Sequence, residues 1–284
     1  MRLAEPAGLG NRVVNRVVAA AVQLNSTADV QTNLESAERL VTQAAESGAS
    51  FVGLPENFAY LRSEGSPVPE PQSLDGPWVA RMRELARGLR ITLLLGSLPE
   101  RIEGDRRLYN TSVLLGPDGQ RLAVYRKIHL FDIDLPGLSH LKESRAVKAG
   151  EDVVVAEAEW GKLGLSICYD LRFPELYRRQ ATQGARVLAV PSAFTDRTGK
   201  DHWEVLLRAR AIENLAYVVA AAQWGLHGPG RASHGHALIV DPWGSVLAQV
   251  PDGEGVAVAE LDFERQDRLR RELPALSHIR LPTG

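Results

Sequence analysis

The run RVVAAAVQL, residues 16–24, constrains the fold more than any other stretch of the chain. Nine residues without polar alternation, rich in Val and Ala, describe a strand buried on both faces, which belongs inside a parallel or mixed sheet covered on each side. A helix should follow: from Val30, apolar residues recur at Leu34, Ala37, Val41 and Ala44, and the glycine of ESGA then stops the pattern. FVGLPE (51–56) is the next buried strand, halted by Pro55, and a helix over about 77–89 leads to ITLLLGSL. The pattern then changes. YNTSVLLGPDGQRLAVYRK and VVVAEAEWGKLGLSIC each set two β-rich runs around a short glycine-containing turn, as hairpins do. After a helix opening near Pro174, ARVLAVPSAF and AYVVAAAQ read as strands on either side of the amphipathic helix DHWEVLLRARAIEN. GHALIVDPWGSVLAQV is a third hairpin turning at DPWG, and GVAVAELD precedes a polar helix around 262–273.

Parallel βα units joined to antiparallel hairpins predict an α/β fold in which two mixed sheets pack face to face with helices outside. We expect one domain over 16–284 behind a loose extension at 1–15, which lacks any period. A doubly wound single sheet is the alternative, but VQLNSTADV stands where its glycine-rich phosphate loop would lie. No apolar run approaches the roughly 20 residues that span a bilayer, and the start lacks the apolar core of a secretion signal. A cytoplasmic protein without a membrane partner is expected. The 33 basic and 35 acidic residues are interspersed, giving a net charge of −2, so no broad basic face for nucleic acid is implied.

The chain holds a single cysteine, Cys168, in LGLSICYDLRFPELY. It cannot close an intrachain disulfide, which suits a reducing compartment. Two roles stand open: a small buried hydrophobe at a strand end, or a thiolate nucleophile that needs a nearby positive charge and a base. Candidate partners lie at other strand ends. Glu56 leaves the core in GLPENFAY, and Lys127 follows an alternating strand in VYRKIHLFD. Each alone is an ordinary surface charge. Together the three residue types suit attack by sulfur on an amide or nitrile carbon: Glu56 as general base and then acid, raised in pKa by apolar surroundings, and Lys127 supporting thiolate and oxyanion. Pro174 begins a helix just after the cysteine, so the Tyr169 N–H would face the same oxyanion and the helix dipole would favour the thiolate.

GLPENFAY, RKIHLFDIDLPG, GLSICYDLRFPELY and HWEVLLRARAIEN together resemble the nitrilase superfamily of carbon–nitrogen hydrolases over about residues 17–280. The resemblance implies a four-layer αββα sandwich, homodimers that pair further, no cofactor or metal, and a Glu56, Lys127, Cys168 triad. It also implies that Glu143 of HLKESRAVKAG, otherwise a loop residue, orients Lys127 and the substrate. Arg172 would hold a substrate carboxylate, with Phe194 and Thr198 beside it; read without the family, Arg172 and Glu175 form an ion pair bracing the turn. Within the superfamily, PSAFT, AAAQWGLHGPGRASHGHALIVDPWG and LPALSHIRLP are similar to the branch acting on deaminated glutathione, which gives α-ketoglutarate and Cys-Gly. The ω-amidase sibling, acting on α-ketoglutaramate, typically has Gly in place of Ser192 and Ser-Pro in place of Ala222-Gln223.

Other classes remain to be weighed. A Cys-His protease would use His202 of KDHWEVL, though a structural His is commoner. His234 and His236, two apart on an expected strand, face one side without a third metal ligand marked by spacing. A lone thiol also suits a non-catalytic interaction protein or a redox sensor. Trp203, Trp224 and Trp243 are expected to fill core or interface, with Trp203 outside the pocket, and LHGPGRASHG reads as an irregular loop.

Overall fold

The computed structural model describes residues 15–62, 68, 70–134 and 141–281; the expected extension lies, but for its last residue, outside the described residues. The first half of the chain runs β1 (Arg16–Leu24), α1 (Val30–Glu46), β2 (Phe51–Gly53), α2 (Pro77–Leu89), β3 (Thr92–Arg101), β4 (Leu108–Leu115), β5 (Arg121–Arg126), β6 (Asp132–Ile133) and β7 (Leu141–Lys142). The second half runs β8 (Val155–Ala158), β9 (Gly161–Leu165), α3 (Pro174–Thr182), β10 (Val187–Ala189), α4 (Asp196–Asn214) and β11 (Tyr217–Ala220). It closes with β12 (Ala222–Gly228), β13 (Arg231–His234), β14 (Leu238–Val240), β15 (Val246–Gln249), β16 (Gly255–Asp262) and α5 (Phe263–Glu272).

Two mixed sheets result, in the orders β13-β12-β1-β2-β3-β4-β5 and β15-β14-β11-β10-β9-β8, with β16 antiparallel to β1. The β1 run explains the layering, because side chains alternate across a strand. Ala19 and Ala21 join Leu163, Leu165, Ala189 and Val218 in the core between the sheets. Ala20 and Val22 point the other way, into a second core with Leu34 and Leu40 of α1 and Met82 of α2. Both faces of β1 are therefore dry, which is why its sequence shows no polar period. On the outer side of the smaller sheet, α4 contributes Trp203, Leu207 and Ala211. This is the expected αββα sandwich.

Several expectations are corrected. AYVVAAAQ is two strands: β11 lies parallel to β10 in the smaller sheet, and after Ala221 the chain passes into β12, parallel to β1 in the larger one. An all-apolar run carries no mark of such a crossing. FVGLPE is extended only to Gly53, and DHWEVLLRARAIEN starts five residues early, at Asp196. LHGPGRASHG is no irregular loop, since β12 and β13 pair through it as an antiparallel hairpin with a register shift between Leu226 and Gly228. His236 stands outside β13 with φ of 60°, its ring stacked on that of His234 at 4.4 Å between centroids. Trp203 packs inward as expected, donating from Nε1 to the His236 carbonyl at 2.8 Å, whereas Trp243 is 58% exposed on its turn. Among the described residues no helix is long and apolar enough to cross a membrane.

Candidate active site

Glu56, Lys127 and Cys168 come from three strand ends and two different sheets: Glu56 beyond β2, Lys127 directly after β5, Cys168 beyond β9. Each local path has a physical cause. The chain leaving β2 presses on β3 at Gly96, where a Cβ would sit 2.0 Å from the Leu54 carbonyl oxygen, so only glycine lets Glu56 turn inward at this depth. The Lys127 N–H donates to the Asn110 carbonyl at 2.9 Å, prolonging the β4–β5 ladder by one residue. Cys168 adopts φ of 50° at a sharp turn, a conformation that costs a side-chain-bearing residue about 1–2 kcal/mol. Its N–H donates to the Pro191 carbonyl at 2.9 Å, which helps to hold that turn against β10's exit.

The three side chains are all buried, with 4%, 2% and 8% of their residue surface exposed. Lys127 Nζ lies 3.0 Å from Glu56 Oε1 and 3.0 Å from Glu143 Oε2, one ammonium between two carboxylates. The second Glu56 oxygen accepts from the Ala193 N–H at 2.9 Å, and Glu143 accepts from the Phe131 N–H at 2.6 Å. Asn110 Nδ2 bridges the same pair, donating to Glu56 at 2.8 Å and to Glu143 at 3.3 Å. Behind Glu56, buried Gln223 donates to the Glu56 carbonyl at 3.0 Å and to Ser26 Oγ at 2.8 Å.

These contacts set the protonation states. Burial pushes the Cys168 thiol well above its ordinary value of 9.0, the neighbouring Glu56 charge adds to this, and Lys127 only partly opposes it. The expected helix-favoured thiolate is thus corrected: the resting sulfur keeps its proton. Burial also pushes the Glu56 carboxyl upward, but Lys127, the Cys168 thiol and the Ala193 N–H outweigh it and hold the group below its ordinary 4.5. The expectation of a raised Glu56 pKa is corrected for that reason. Lys127 is held well above its ordinary value, since Glu143 and Glu56 overcome the burial that would lower it. The site is an ionised carboxylate beside a protonated thiol and a fixed ammonium.

One residue that sequence reasoning missed ties the parts together. Fully buried Asp170, two residues past the cysteine, accepts from Tyr125 OH at 2.7 Å and the Ile167 N–H at 2.8 Å with one oxygen. Its other oxygen accepts from the His129 N–H at 3.0 Å and lies 2.7 Å from His129 Nδ1. Asp170 therefore clamps the cysteine turn to the segment bearing Lys127. A lone acidic residue in a charged turn gave no sign of this; Asn110, inside the polar stretch YNTS of an otherwise apolar strand, did carry a readable one.

A cavity of about 780 Å³ opens over Cys168, and Tyr169, Arg172, Phe194 and Thr198 all line it. The Arg172 guanidinium carbon lies 5.2 Å from the Phe194 ring centroid and 5.8 Å from that of Tyr169, so its plane is set by aromatic faces. It donates to His202 Nδ1 at 3.3 Å, in place of the simple Arg172–Glu175 brace. His202 is exposed on α4, outside the cavity lining. Thr198 Oγ1 pairs with Thr195 Oγ1 at 2.8 Å.

The carbon–nitrogen hydrolase family profile matches residues 18–271. The chain belongs to that family. A deaminated glutathione amidase of Synechocystis sp. is 46% identical over 264 residues, 92% of this chain and 97% of that protein. One from Mus musculus is 43% identical over 268 residues, 92% of this chain and 82% of its own. The crystal structure of the Caenorhabditis elegans NitFhit protein superposes with a TM-score of 0.87 at 40% identity, covering 94% of this chain and 66% of that one. The chain is thus a carbon–nitrogen hydrolase of the amidase kind with the nitrilase sandwich, as its motifs led us to expect.

Proposed function

We propose that this hydrolase is a thiol amidase that cleaves deaminated glutathione into α-ketoglutarate and Cys-Gly. The observation that carries the proposal is the ionised Glu56 held between Lys127 and the protonated Cys168 thiol at the base of one cavity. In this reading Glu56 takes the thiol proton as Sγ adds to the amide carbon. The negative charge moving onto the carbonyl oxygen meets Lys127 Nζ and the Tyr169 N–H, donors fixed in place before the reaction begins. Glu56 then returns the proton to the nitrogen of Cys-Gly as the C–N bond breaks, leaving the α-ketoglutaryl group as a thioester on Cys168. Water, deprotonated by Glu56, attacks the thioester carbonyl, and release of α-ketoglutarate restores the thiol. Glu143 orients Lys127, and Arg172, braced by Phe194 with Thr198 nearby, receives the carboxylate of the keto acid.

The relatives of Synechocystis and mouse support this choice of substrate, since both carry that activity in their names. A redox-sensing role fits poorly, because sensor cysteines are exposed and low in pKa, whereas Cys168 is neither. The single free cysteine accords with a cytoplasmic setting. A homodimer accords with exposed Val205 and Ile212, seven apart on α4, next to the turn that exposes Trp243. Steady-state kinetics on deaminated glutathione and α-ketoglutaramate test the proposal. A preference of at least about tenfold in kcat/KM for the former, about 1.4 kcal/mol in transition-state binding, is expected; the reverse preference makes the chain an ω-amidase.

A further inference from the structure

The side chain of Asn110, on β4, is buried and satisfied at one end alone. Its Nδ2 donates to Glu56 Oε1 at 2.8 Å and to Glu143 Oε1 at 3.3 Å, one N–H for each carboxylate. Its Oδ1 is buried without a donor among the described residues. The amide gains nothing by turning over, since its oxygen would then face two carboxylates. An unpaired buried acceptor is unfavourable, and an apolar side chain at this place in β4 would avoid it. The donor end is therefore what the position requires. The Asn110 carbonyl also accepts from the Lys127 N–H at 2.9 Å, so backbone and side chain together tie β4 to Lys127, Glu56 and Glu143.

The two oxygens of Glu56 are held differently. Oε1 accepts from Lys127 Nζ at 3.0 Å as well as from Asn110. Oε2 accepts from the Ala193 N–H at 2.9 Å, and the same N–H also serves the Cys168 sulfur, which sets Oε2 beside the thiol. Lys127 has a second task in the reaction. As charge grows on the substrate oxygen, a proton of Nζ turns to it, at the expense of a contact with Glu56 or Glu143. Asn110 is a neutral donor without that task, and its hold on Oε1 survives the exchange.

We propose that Asn110 is a positioning residue: by anchoring Glu56 Oε1 throughout the reaction it fixes Oε2 as the proton acceptor for Cys168, and it keeps Glu143 in place about Lys127. This rests on the reading of Glu56 as the general base of a thiol amidase. The charged and titratable groups facing Glu56 are Lys127, Cys168 and, beyond the ammonium, Glu143. Asn110 adds to them a donor whose charge does not change with pH.

Two rates followed against pH test the assignment: turnover of deaminated glutathione, and alkylation of Cys168 by iodoacetamide, in which the S–C bond forms as iodide leaves and the thiol proton passes to Glu56. Asn110→Ala should lower kcat by about tenfold to a hundredfold with KM within about twofold of the wild type. Removing a donor to the charged form raises a carboxyl's pKa, so the acid limb of both profiles should move upward by about one pH unit. Asn110→Asp keeps the shape but turns a donor into an acceptor, and at neutral pH it should be at least as damaging as Ala. Asn110→Ser, which retains an O–H, should fall between Ala and the wild type. A side chain that merely filled space would give the opposite order, with Asp mildest and the acid limb unmoved. Wild-type kcat and acid limb in Asn110→Ala, or in Asn110→Ser where Ala folds badly, would overturn the proposal, as would a loss confined to KM. Glu56→Gln tests the reading beneath it: alkylation with the wild-type profile in that variant would remove Glu56 as the base, and with it the group that Asn110 positions.

Discussion

The floor of the cavity and its rim are built on opposite principles. On the floor, Glu56, Lys127 and Glu143 are buried or nearly so, and their charges are matched among themselves and by Asn110, Ala193 and Phe131. At the rim, Arg172 lies half-buried between the Phe194 and Tyr169 faces, and half-buried Arg231 donates to the Arg62 carbonyl. A floor of interlocked buried charges tolerates almost no change, because removing one member strands another charge out of water. The rim keeps its charges near solvent and can be altered at little expense to the fold. Chemistry is fixed below and substrate choice is set above.

The sharpest way to break this division is Lys127→Met. Two facing carboxylates lose their counter-ion, so we expect kcat/KM to fall by about 10³-fold or more and stability to drop by about 3–5 kcal/mol, read by kinetics and urea unfolding. Wild-type turnover in that variant would end the distinction. Asp170→Asn should come next: with four hydrogen-bond contacts on one buried carboxylate, the change should cost about 2–3 kcal/mol. The loosened cysteine turn should lower kcat by about 10²-fold. Unchanged kcat would mean that the turn holds its shape without the clamp. Arg172→Gln tests the rim. KM for either keto-acid amide should rise about tenfold or more while stability moves within about 0.5 kcal/mol; a large loss of stability would make Arg172 part of the frame instead.

The smallest expected effect is on pH. Glu56 is held below its ordinary 4.5, so its carboxylate is present across the neutral range and kcat/KM should decline only below 4.5. The sign for stability is the same. A carboxyl whose folded pKa is depressed contributes stability above its unfolded value, and that contribution disappears as pH falls through the folded one. The thermal midpoint should therefore begin to fall below 4.5, and an acid limb of kcat/KM centred near neutrality would contradict the assignment of Glu56 as an ionised base.

Legibility in the sequence follows the same split. The layered fold is readable because β1 and β10 run through dry core and the hairpins carry glycine turns, signals that survive in one dimension. Glu56, Lys127 and Cys168 were readable as residues out of place at the ends of such strands, and the family resemblance gave them a common task. The AYVVAAAQ crossing was hidden, since Ala221 looks the same whether a strand continues or changes sheets. Protonation states are not legible in the sequence because they depend on distances: apolar neighbours announce the burial of Glu56, but nothing announces the Lys127 ammonium at 3.0 Å that overrides it. Asp170, the Asn110 bridge and the Arg62–Arg231 pair join residues 41, 33 and 169 positions apart, separations at which no local pattern exists.

The central claim is that sulfur carries the acyl group while Glu56 handles the proton. Rapid quenching of the enzyme with deaminated glutathione, followed by intact and peptide mass analysis, tests it directly. The account predicts a transient mass gain equal to the α-ketoglutaryl group on the peptide holding Cys168, absent in Cys168→Ala and formed far more slowly in Glu56→Gln. Sustained hydrolysis by Cys168→Ala, or an acyl group trapped on any other residue, would contradict it.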